Sequence, residues 1–289
     1  MTSQPEQQLQ KDHWSSEAYT TSASFVPKLT STLLRYLDPQ PTDSVLDIGC
    51  GDGKFTALFL PHVGRALGVD ASAAMIGAAE RDYGDGSGQE VGGSAKAQFR
   101  VLDCCLLDSD EGRGVVGGGW DKVVSNAALH WILCNGTTRT STLKGIHAAL
   151  KPSGKFIFEM GGHGNVGEVN TALMFALRKQ GIPMEKIKEV YPWYFPSAMW
   201  MATTLESIGF KVHVMETEYR PTELTRDKGG GLAGWVRLMG ASFLEILSEG
   251  QREEAVRDVC EVLESVVTRS EDGSQWLGYV RLRGVAEKI

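Results

Sequence analysis

Long apolar runs, basic clusters and paired cysteines are all missing from this chain of 289 residues. No stretch approaches the ~20 apolar residues that a membrane-spanning helix needs, so the sequence predicts no membrane partner. The polar first residues also lack the apolar segment of a secretory signal. Five cysteines without C-x-x-C spacing favour a reduced, cytoplasmic protein over a disulfide-bonded secreted one.

Positive charge is scarce as well. Lysine and arginine total 29 against 36 acids, which leaves a net charge of −7, and the basic residues alternate with acids. Binding to a nucleic-acid backbone uses a concentrated basic face, so a DNA or RNA partner is disfavoured. The chain also contains no H-E-x-x-H, no paired His/Cys ligand spacing and no G-x-S-x-G. These absences argue against a metal site and a serine nucleophile.

A glycine loop directly after a short apolar strand is the most informative feature that the chain does contain. Residues 45–53 read Val-Leu-Asp-Ile-Gly-Cys-Gly-Asp-Gly. Glycine lets the backbone turn sharply and lets a ligand lie against main-chain atoms. A dinucleotide-binding loop would place its third glycine at position 54, which is lysine here. Asp47 lies inside the strand, where a carboxylate would repel a pyrophosphate and suits a cationic ligand.

Acidic residues also end the next two predicted strands. Strand 66–69 ends in Asp70, seventeen positions after Gly53, which is typical of a βαβ unit. A carboxylate there would accept hydrogen bonds from two ribose hydroxyls. The alternative is an aspartate that caps the following helix, although Ser72 is able to cap it instead. The third strand, from residue 97 to 102, ends in Asp103.

Five segments in this order resemble the motifs of class I S-adenosylmethionine-dependent methyltransferases. They are the loop at 47–53, the two acidic strand ends, Ser-Asn-Ala-Ala-Leu-His-Trp at 125–131, and the turn and strand at 150–159. The fourth segment resembles the trans-aconitate and malonyl-carrier carboxyl methyltransferases. The resemblance implies S-adenosylmethionine as cofactor. The positions that it assigns to the cofactor are Trp14, Tyr19, Asp47, Gly49, Cys50, Gly51, Asp70, Ala71, Met75, Asp103, Cys104 and Asn126.

The implied fold is α/β, with a doubly wound, mostly parallel sheet of seven strands and helices on both faces. Two late strands, 210–219 and 275–285, alternate in polarity and favour an antiparallel pair at one edge. Helical patterns cover 13–37, 166–179, 197–208, 232–248 and 250–268. The predicted organisation is a tail (1–12), a helical cap (13–43), a cofactor core (44–160), a substrate lid with late helices (161–275) and a closing strand (276–289).

His130 is the candidate for acid–base chemistry or for orienting the acceptor, because it follows the predicted fourth strand at the pocket edge. A packed structural histidine is an equally consistent interpretation. Segment 191–196 places aromatic residues between two prolines and is predicted to roof the pocket. Arg220 is a candidate anchor for an acceptor carboxylate, with a surface arginine at a strand end as the alternative. The predicted acceptor-binding residues are Trp131, Trp193, Tyr194, Arg220 and Trp235.

The predicted function is methyl transfer from S-adenosylmethionine to a small molecule, with an oxygen such as a carboxylate as acceptor. Ionised carboxylates need no base, whereas hydroxyl, nitrogen or thiol acceptors of a secondary metabolite remain an alternative. A non-catalytic scaffold that binds the cofactor on the same fold is a second alternative, since binding does not prove turnover. The sequence leaves the acceptor's identity and the oligomeric state open.

Overall fold

A single sheet of seven strands organises the part of the chain that the computed structural model describes, residues 30–84, 97–117, 119–225 and 230–289. The strands are β1 (Ser44–Ile48), β2 (Arg65–Asp70), β3 (Ala97–Val101), β4 (Trp120–Asn126), β5 (Leu150–Gly161), β6 (Phe210–Glu223) and β7 (Trp276–Lys288). Their order in the sheet is β3-β2-β1-β4-β5-β7-β6. The chain starts in the middle of the sheet and winds outward twice, as the sequence predicts.

Parallel pairing joins β3, β2, β1, β4 and β5, whereas β7 is antiparallel to both of its neighbours, β5 and β6. The carboxyl ends of the first five strands therefore share one edge of the sheet, where ligands bind in folds of this class. The central strand β1 is buried along its whole length, which explains its nearly continuous apolar sequence.

Helices cover both faces of the sheet and its carboxyl edge. They are α1 (Ser31–Leu37), α2 (Lys54–Phe59), α3 (Ala73–Tyr83), α4 (Arg113–Val116), α5 (Leu129–Ile132), α6 (Arg139–Ala149), α7 (Gly167–Lys179), α8 (Met184–Glu189), α9 (Ala198–Ile208), α10 (Gly231–Met239), α11 (Ala241–Leu244) and α12 (Glu249–Val267). Short 3₁₀ turns follow at Leu60–His62 and Cys104–Leu106.

Three apolar cores correspond to these layers. Helices α1, α2 and α3 pack on one face of the sheet, and α6 and α9 pack on the other. A third core joins α7, α10, α11 and α12 to the first half of β7. The helices of this third core fall in the segment 161–275, which the sequence predicts to form the substrate lid and late helices.

Some boundaries differ from the sequence prediction. Strand β6 does not end at residue 220 but continues through Pro221 to Glu223, because an edge strand tolerates a proline on its unpaired side. The single helix predicted over 232–248 is two, α10 and α11, separated at Gly240. Helix α8 was not predicted, and only 31–37 of the predicted helix 13–37 lies in a described helix. Among the described residues, no helix is long and apolar enough to span a bilayer.

Candidate active site

The glycine loop joins β1 to α2 and lies against the ends of β2 and β4. The Gly49 N–H donates to the carbonyl oxygen of Val69 at 2.8 Å. A Cβ on Gly49, whose φ is +71°, would lie 2.2 Å from the Cβ of Ala128, so only glycine permits this approach. At Gly51, where φ is +56°, a Cβ would meet nothing within 4 Å. The loop therefore presents bare main chain to an open space.

Asp47 lies beside this loop and is 1% exposed. Its Oδ2 accepts a hydrogen bond from Thr56 Oγ1 at 2.6 Å, while its Oδ1 is buried without a hydrogen-bond partner in the structure. Burial raises the pKa of this carboxyl from 3.8 to about 7, and the Thr56 bond offsets only part of that rise. A buried acceptor atom without a donor is costly. The ammonium of a methionine moiety would supply the donor and the opposite charge.

Asp70 ends β2 within reach of the same loop. Its Oδ2 accepts from the Gly51 N–H at 3.0 Å and its Oδ1 from the Ser72 N–H at 2.9 Å. The cap of α3 is Ser72, whose Oγ accepts from the Met75 N–H at 3.2 Å. Asp70 is therefore held in a fixed orientation by two backbone hydrogen bonds, and Ser72 caps α3.

The third acid, Asp103, follows β3 and is exposed. Its Oδ1 accepts from the Cys105 N–H at 2.9 Å. Asp47, Asp70, Asp103 and the half-buried Asn126 thus lie at the carboxyl ends of four adjacent strands. The structure therefore brings to one edge of the sheet four positions that the resemblance assigns to the cofactor.

The other positions assigned to the cofactor differ in how far their side chains are exposed. The side chains of Cys50, Cys104 and Met75 are buried, whereas Ala71 is exposed. Burial raises the pKa of both thiols well above the ordinary value, so these cysteines are neutral packing groups rather than nucleophiles. Trp14 and Tyr19 lie outside the described residues.

A cavity of about 60 Å³ lies next to the end of β4. Four residues singled out from the sequence line it together: His130, Trp131, Trp193 and Trp235. Phe195 belongs to the segment 191–196 that was predicted to roof the pocket. Sequence reasoning missed the remaining described lining residues, which are Ala127, Asn165, Val166, Met239, Tyr279 and Arg281. Among the described residues that line the cavity, Arg281 is the one cation and none carries a carboxylate.

His130 reaches the cavity from the turn after β4. Ala127 adopts a left-handed backbone (φ +57°), which is strained for a residue with a Cβ, and its N–H donates to the Glu159 carbonyl at 2.7 Å. The Gly161 N–H donates to His130 Nδ1 at 3.3 Å. Burial, together with the nearby charge of Arg281, lowers the pKa of His130 well below its ordinary value. The ring is therefore neutral, with its proton on Nε2.

The aromatic segment 191–196 forms a fixed wall of the cavity. Trp193 is 5% exposed, and its ring centroid lies 5.4 Å from that of Trp131 and 5.9 Å from that of Phe195. Tyr194 points elsewhere and does not line the cavity: the Arg139 guanidinium lies 3.4 Å from its ring centroid. The Tyr194 N–H donates to the His130 carbonyl at 2.8 Å. These contacts attach the segment to the turn that carries His130.

Arg220 does not line the cavity either. Its Nη2 and Nη1 donate to the two carboxylate oxygens of Glu159, at 2.9 and 3.3 Å. The guanidinium is thus engaged in a buried ion pair, which differs from the anion-binding position expected for it. The sequence did contain a signal for the cavity arginine: Arg281 and Arg283 alternate within the otherwise uncharged run 277–286.

The described residues contain no group of three or more His, Cys, Asp or Glu side chains that could hold a metal ion. Within this part of the chain, the site consists of a glycine loop, strand-end acids and an aromatic cavity with one cation.

Comparisons with known proteins agree with this geometry. A family described as "Methyltransferase domain" matches residues 46–156. An uncharacterised methyltransferase of Schizosaccharomyces pombe is 34% identical over 280 residues, which cover 97% of this chain and 100% of that protein. The trans-aconitate 2-methyltransferase of Enterobacter sp. is 23% identical over 95% of this chain and 98% of its own length.

Solved structures share the fold. A SAM-dependent methyltransferase from Methanosarcina mazei superposes with a TM-score of 0.51 at 15% identity, covering 90% of this chain and 97% of that one. At this identity the likeness concerns the fold alone. The full-length relative and the matched domain carry the family assignment, and with it the cofactor and the enzymatic character expected from the sequence. The chain belongs to the class I S-adenosylmethionine-dependent methyltransferases.

Proposed function

We propose that this methyltransferase acts on a carboxylate oxygen of a small organic acid. The observation that carries the proposal is the cavity at the end of β4, which is small and walled by aromatic rings; its described lining includes a cation, Arg281, and no carboxylate. An anion would neutralise that cation, whereas a basic acceptor would be repelled by it. A volume of about 60 Å³ suits a small acceptor.

On the cofactor side, Asp47 would receive the ammonium, and the open main chain at Gly49 and Gly51 would receive the methionine moiety. Asp70 would bind the ribose hydroxyls, and Asp103 with the backbone at Cys104 would bind the adenine. Cys50, Ala71, Met75 and Asn126 would contribute main-chain or packing contacts. Asp47 supports this assignment most directly, because its Oδ1 is buried without a donor.

The cofactor supplies an electrophilic methyl group on a sulfonium, and its sulfur leaves as a neutral thioether. The protein's task is then to align the acceptor oxygen with the methyl and to exclude water. The walls that Trp131, Trp193 and Trp235 contribute to the cavity would do both. These three side chains are therefore proposed to bind the acceptor, whereas Tyr194 would support the wall from outside.

His130 is proposed to orient the acceptor as a hydrogen-bond donor. Its Nδ1 accepts from Gly161, so the proton-bearing Nε2 of the neutral ring is not a base. A hydroxyl or amine acceptor must lose a proton, and the described cavity lining offers no carboxylate to take it. A carboxylate is ionised at neutral pH and needs no base. This difference favours the acid over the hydroxyl, nitrogen and thiol acceptors.

The remaining parts of the proposal concern partners and compartment. A small acid is consistent with the trans-aconitate methyltransferase that matches nearly the full length of the chain. The net charge of −7 does not favour nucleic acid as a substrate. All five cysteines are free, which fits a reducing compartment such as the cytoplasm.

Methyl transfer from labelled S-adenosylmethionine tests the proposal. The acceptors are trans-aconitate and other small acids, and each acid is compared with its neutral methyl ester. The control protein is Asp47→Asn, which we expect not to bind the cofactor. We expect label in the acids only, with the product identified as an ester by mass spectrometry. At saturating cofactor, kcat should show no inflection from a base between pH 6 and 9. Label transfer only to hydroxyl compounds, amines or RNA would contradict the carboxylate assignment.

A further inference from the structure

Three arginines surround one buried carboxylate at the edge of the cavity. Glu159 on β5 is 3% exposed and accepts from Arg220 on β6 and from Nε of both Arg281 and Arg283 on β7, at 3.1 and 2.5 Å. The registers Glu159–Arg283 and Glu218–Arg281 place these side chains on one face of the sheet. Burial alone would raise the pKa of Glu159, but Arg281 and Arg220 lower it below its ordinary value, so the carboxylate is ionised.

The three guanidinium groups differ in what their terminal nitrogens do. Both Nη atoms of Arg220 donate to Glu159. The Nη atoms of Arg283 donate to Glu216 and Glu218. Arg281 donates only through Nε, and its two Nη atoms make no hydrogen bond with any described residue. Arg281 is also the member of the trio that lines the cavity.

The three arginines and three glutamates of this cluster balance in charge, but Arg281 is its one member among the described lining residues of the cavity. Glu216 and Glu218 are half-exposed and compensate Arg283. Glu159 is shared by all three guanidinium groups, Arg220, Arg281 and Arg283. Arg281 is 4% exposed, so water screens its charge little. The polar groups that share the cavity with it, His130, Asn165 and Tyr279, are uncharged or able to donate a hydrogen bond.

We propose that Arg281 binds the carboxylate of the acceptor through its two Nη atoms, while Glu159 fixes the guanidinium through Nε. A planar guanidinium held at Nε presents its two terminal nitrogens as a fork that matches the two oxygens of a carboxylate. Arg220, the arginine expected from the sequence to do this, is instead a support that shares Glu159. The assignment rests on the proposed acidic acceptor and identifies the side chain that selects it.

The probe for this site is trifluoroacetate, which is small enough for the cavity and is observed by ¹⁹F NMR. Trifluoroethanol is its uncharged counterpart, and S-adenosylhomocysteine is present throughout. We compare the wild-type protein with Arg281→Gln, Arg281→Lys and the matched control Arg220→Lys. Glu159 keeps two arginine partners in both Arg281 variants, so these should fold, which the affinity for S-adenosylhomocysteine checks.

We expect trifluoroacetate, but not trifluoroethanol, to bind the wild-type protein. Arg281→Gln should weaken that binding by at least about tenfold, because it removes charge-assisted hydrogen bonds. The affinity of Arg281→Lys for trifluoroacetate should lie between those of the wild type and Arg281→Gln, since lysine keeps the charge but lacks the planar pair of terminal nitrogens. Arg220→Lys should stay within about twofold of the wild type. Equal binding to wild type and Arg281→Gln, or no binding to the wild type, would overturn the assignment.

The methyl-transfer assay separates this inference from the proposed function. Trifluoroacetate binding that depends on Arg281, without methylation of any acid, would refute the function and keep the anion site. Methylation of an acid with the same KM in wild type and Arg281→Gln would keep the function and refute the role of Arg281.

Discussion

Replacing Asp47 with asparagine should make the cofactor-free protein more stable at neutral pH and abolish its affinity for the cofactor. Asp47 is buried beside the glycine loop, and its Oδ1 has no hydrogen-bond donor in the structure. Without a cationic ligand, the fold therefore favours the protonated form of this side chain. Asparagine keeps the size of the side chain and removes the charge.

The size of the effect follows from the pKa. One pKa unit corresponds to about 1.4 kcal/mol, so a rise from 3.8 to about 7 disfavours the ionised form by about 4 kcal/mol in the folded protein. Between these two pKa values the folded state binds more protons than the unfolded state, so stability falls as pH rises. From pH 5 to pH 8 the loss from this group is about 3 kcal/mol. The Asp47→Asn variant has no ionisable group at this position, so its stability does not fall with pH for this reason.

Urea denaturation of both proteins at pH 5 and pH 8, without cofactor, measures the difference. The free energy of unfolding of Asp47→Asn minus that of the wild type should increase by about 3 kcal/mol between the two pH values. Asp121→Asn is the control: hydrogen bonds from Lys151 and Ser44 outweigh the effect of burial and lower the pKa of Asp121 to about 2. Its difference from the wild type should not change over this pH range.

Adding S-adenosylhomocysteine completes the test. A ligand at a hundred times its Kd stabilises the folded state by about 2.7 kcal/mol, and we expect this gain for the wild type and not for Asp47→Asn. If the difference in the free energy of unfolding between Asp47→Asn and the wild type did not vary with pH, burial would not raise the pKa of Asp47. If S-adenosylhomocysteine still stabilised Asp47→Asn, the assignment of Asp47 to the ammonium would be refuted.

Five further substitutions test the neighbouring features. Gly49→Ala should lower the melting temperature strongly, because its Cβ would lie 2.2 Å from the Cβ of Ala128. Gly51→Ala should lower the free energy of unfolding by about 1 kcal/mol and should mainly weaken cofactor binding, which calorimetry measures. His130→Ala should lower kcat about tenfold and leave cofactor affinity unchanged; an unchanged kcat would make it a packing residue. Glu159→Gln should destabilise the fold by about 3–5 kcal/mol in urea, since it leaves buried guanidinium groups without their carboxylate; a smaller loss would mean that water solvates them. Trp193→Phe should admit larger acids than the wild type does, as competition between acceptors of different length would show.

The cofactor half of the site was predictable because its signals are local. The spacing of Gly49 and Gly51 and the strand-end positions of Asp47, Asp70 and Asp103 each depend on a few adjacent residues. Parallel strands then place their carboxyl ends at one edge without further information. The structure shows these groups on adjacent strands, with the buried Asp47 as the feature that spacing alone did not reveal.

The acceptor half was harder to predict because its contacts join distant parts of the chain. Glu159 and Arg281 are 122 residues apart, and the strand order that brings β7 beside β5 is not encoded in either strand alone. Arg220 appeared to be free at a strand end, whereas β6 continues past it and pairs it with Glu159. A carboxylate such as Glu159 within the run Phe-Ile-Phe-Glu-Met does signal a buried partner, but not which arginine supplies it.

The cavity wall belongs to a separate hydrophobic core. This explains why the proposed acceptor-binding residues were harder to predict from the sequence than the proposed cofactor-binding residues. The cavity's Trp193, Trp235 and Tyr279 belong to the core formed by α7, α10, α11, α12 and β7, not to the two cores that flank the sheet. Substitutions there would change the cavity wall without altering the strand ends that are proposed to bind the cofactor. If the cavity binds the acceptor as proposed, acceptor choice can change while the cofactor site stays constant, and we expect the polar groups of the cavity wall, Arg281 above all, to determine it.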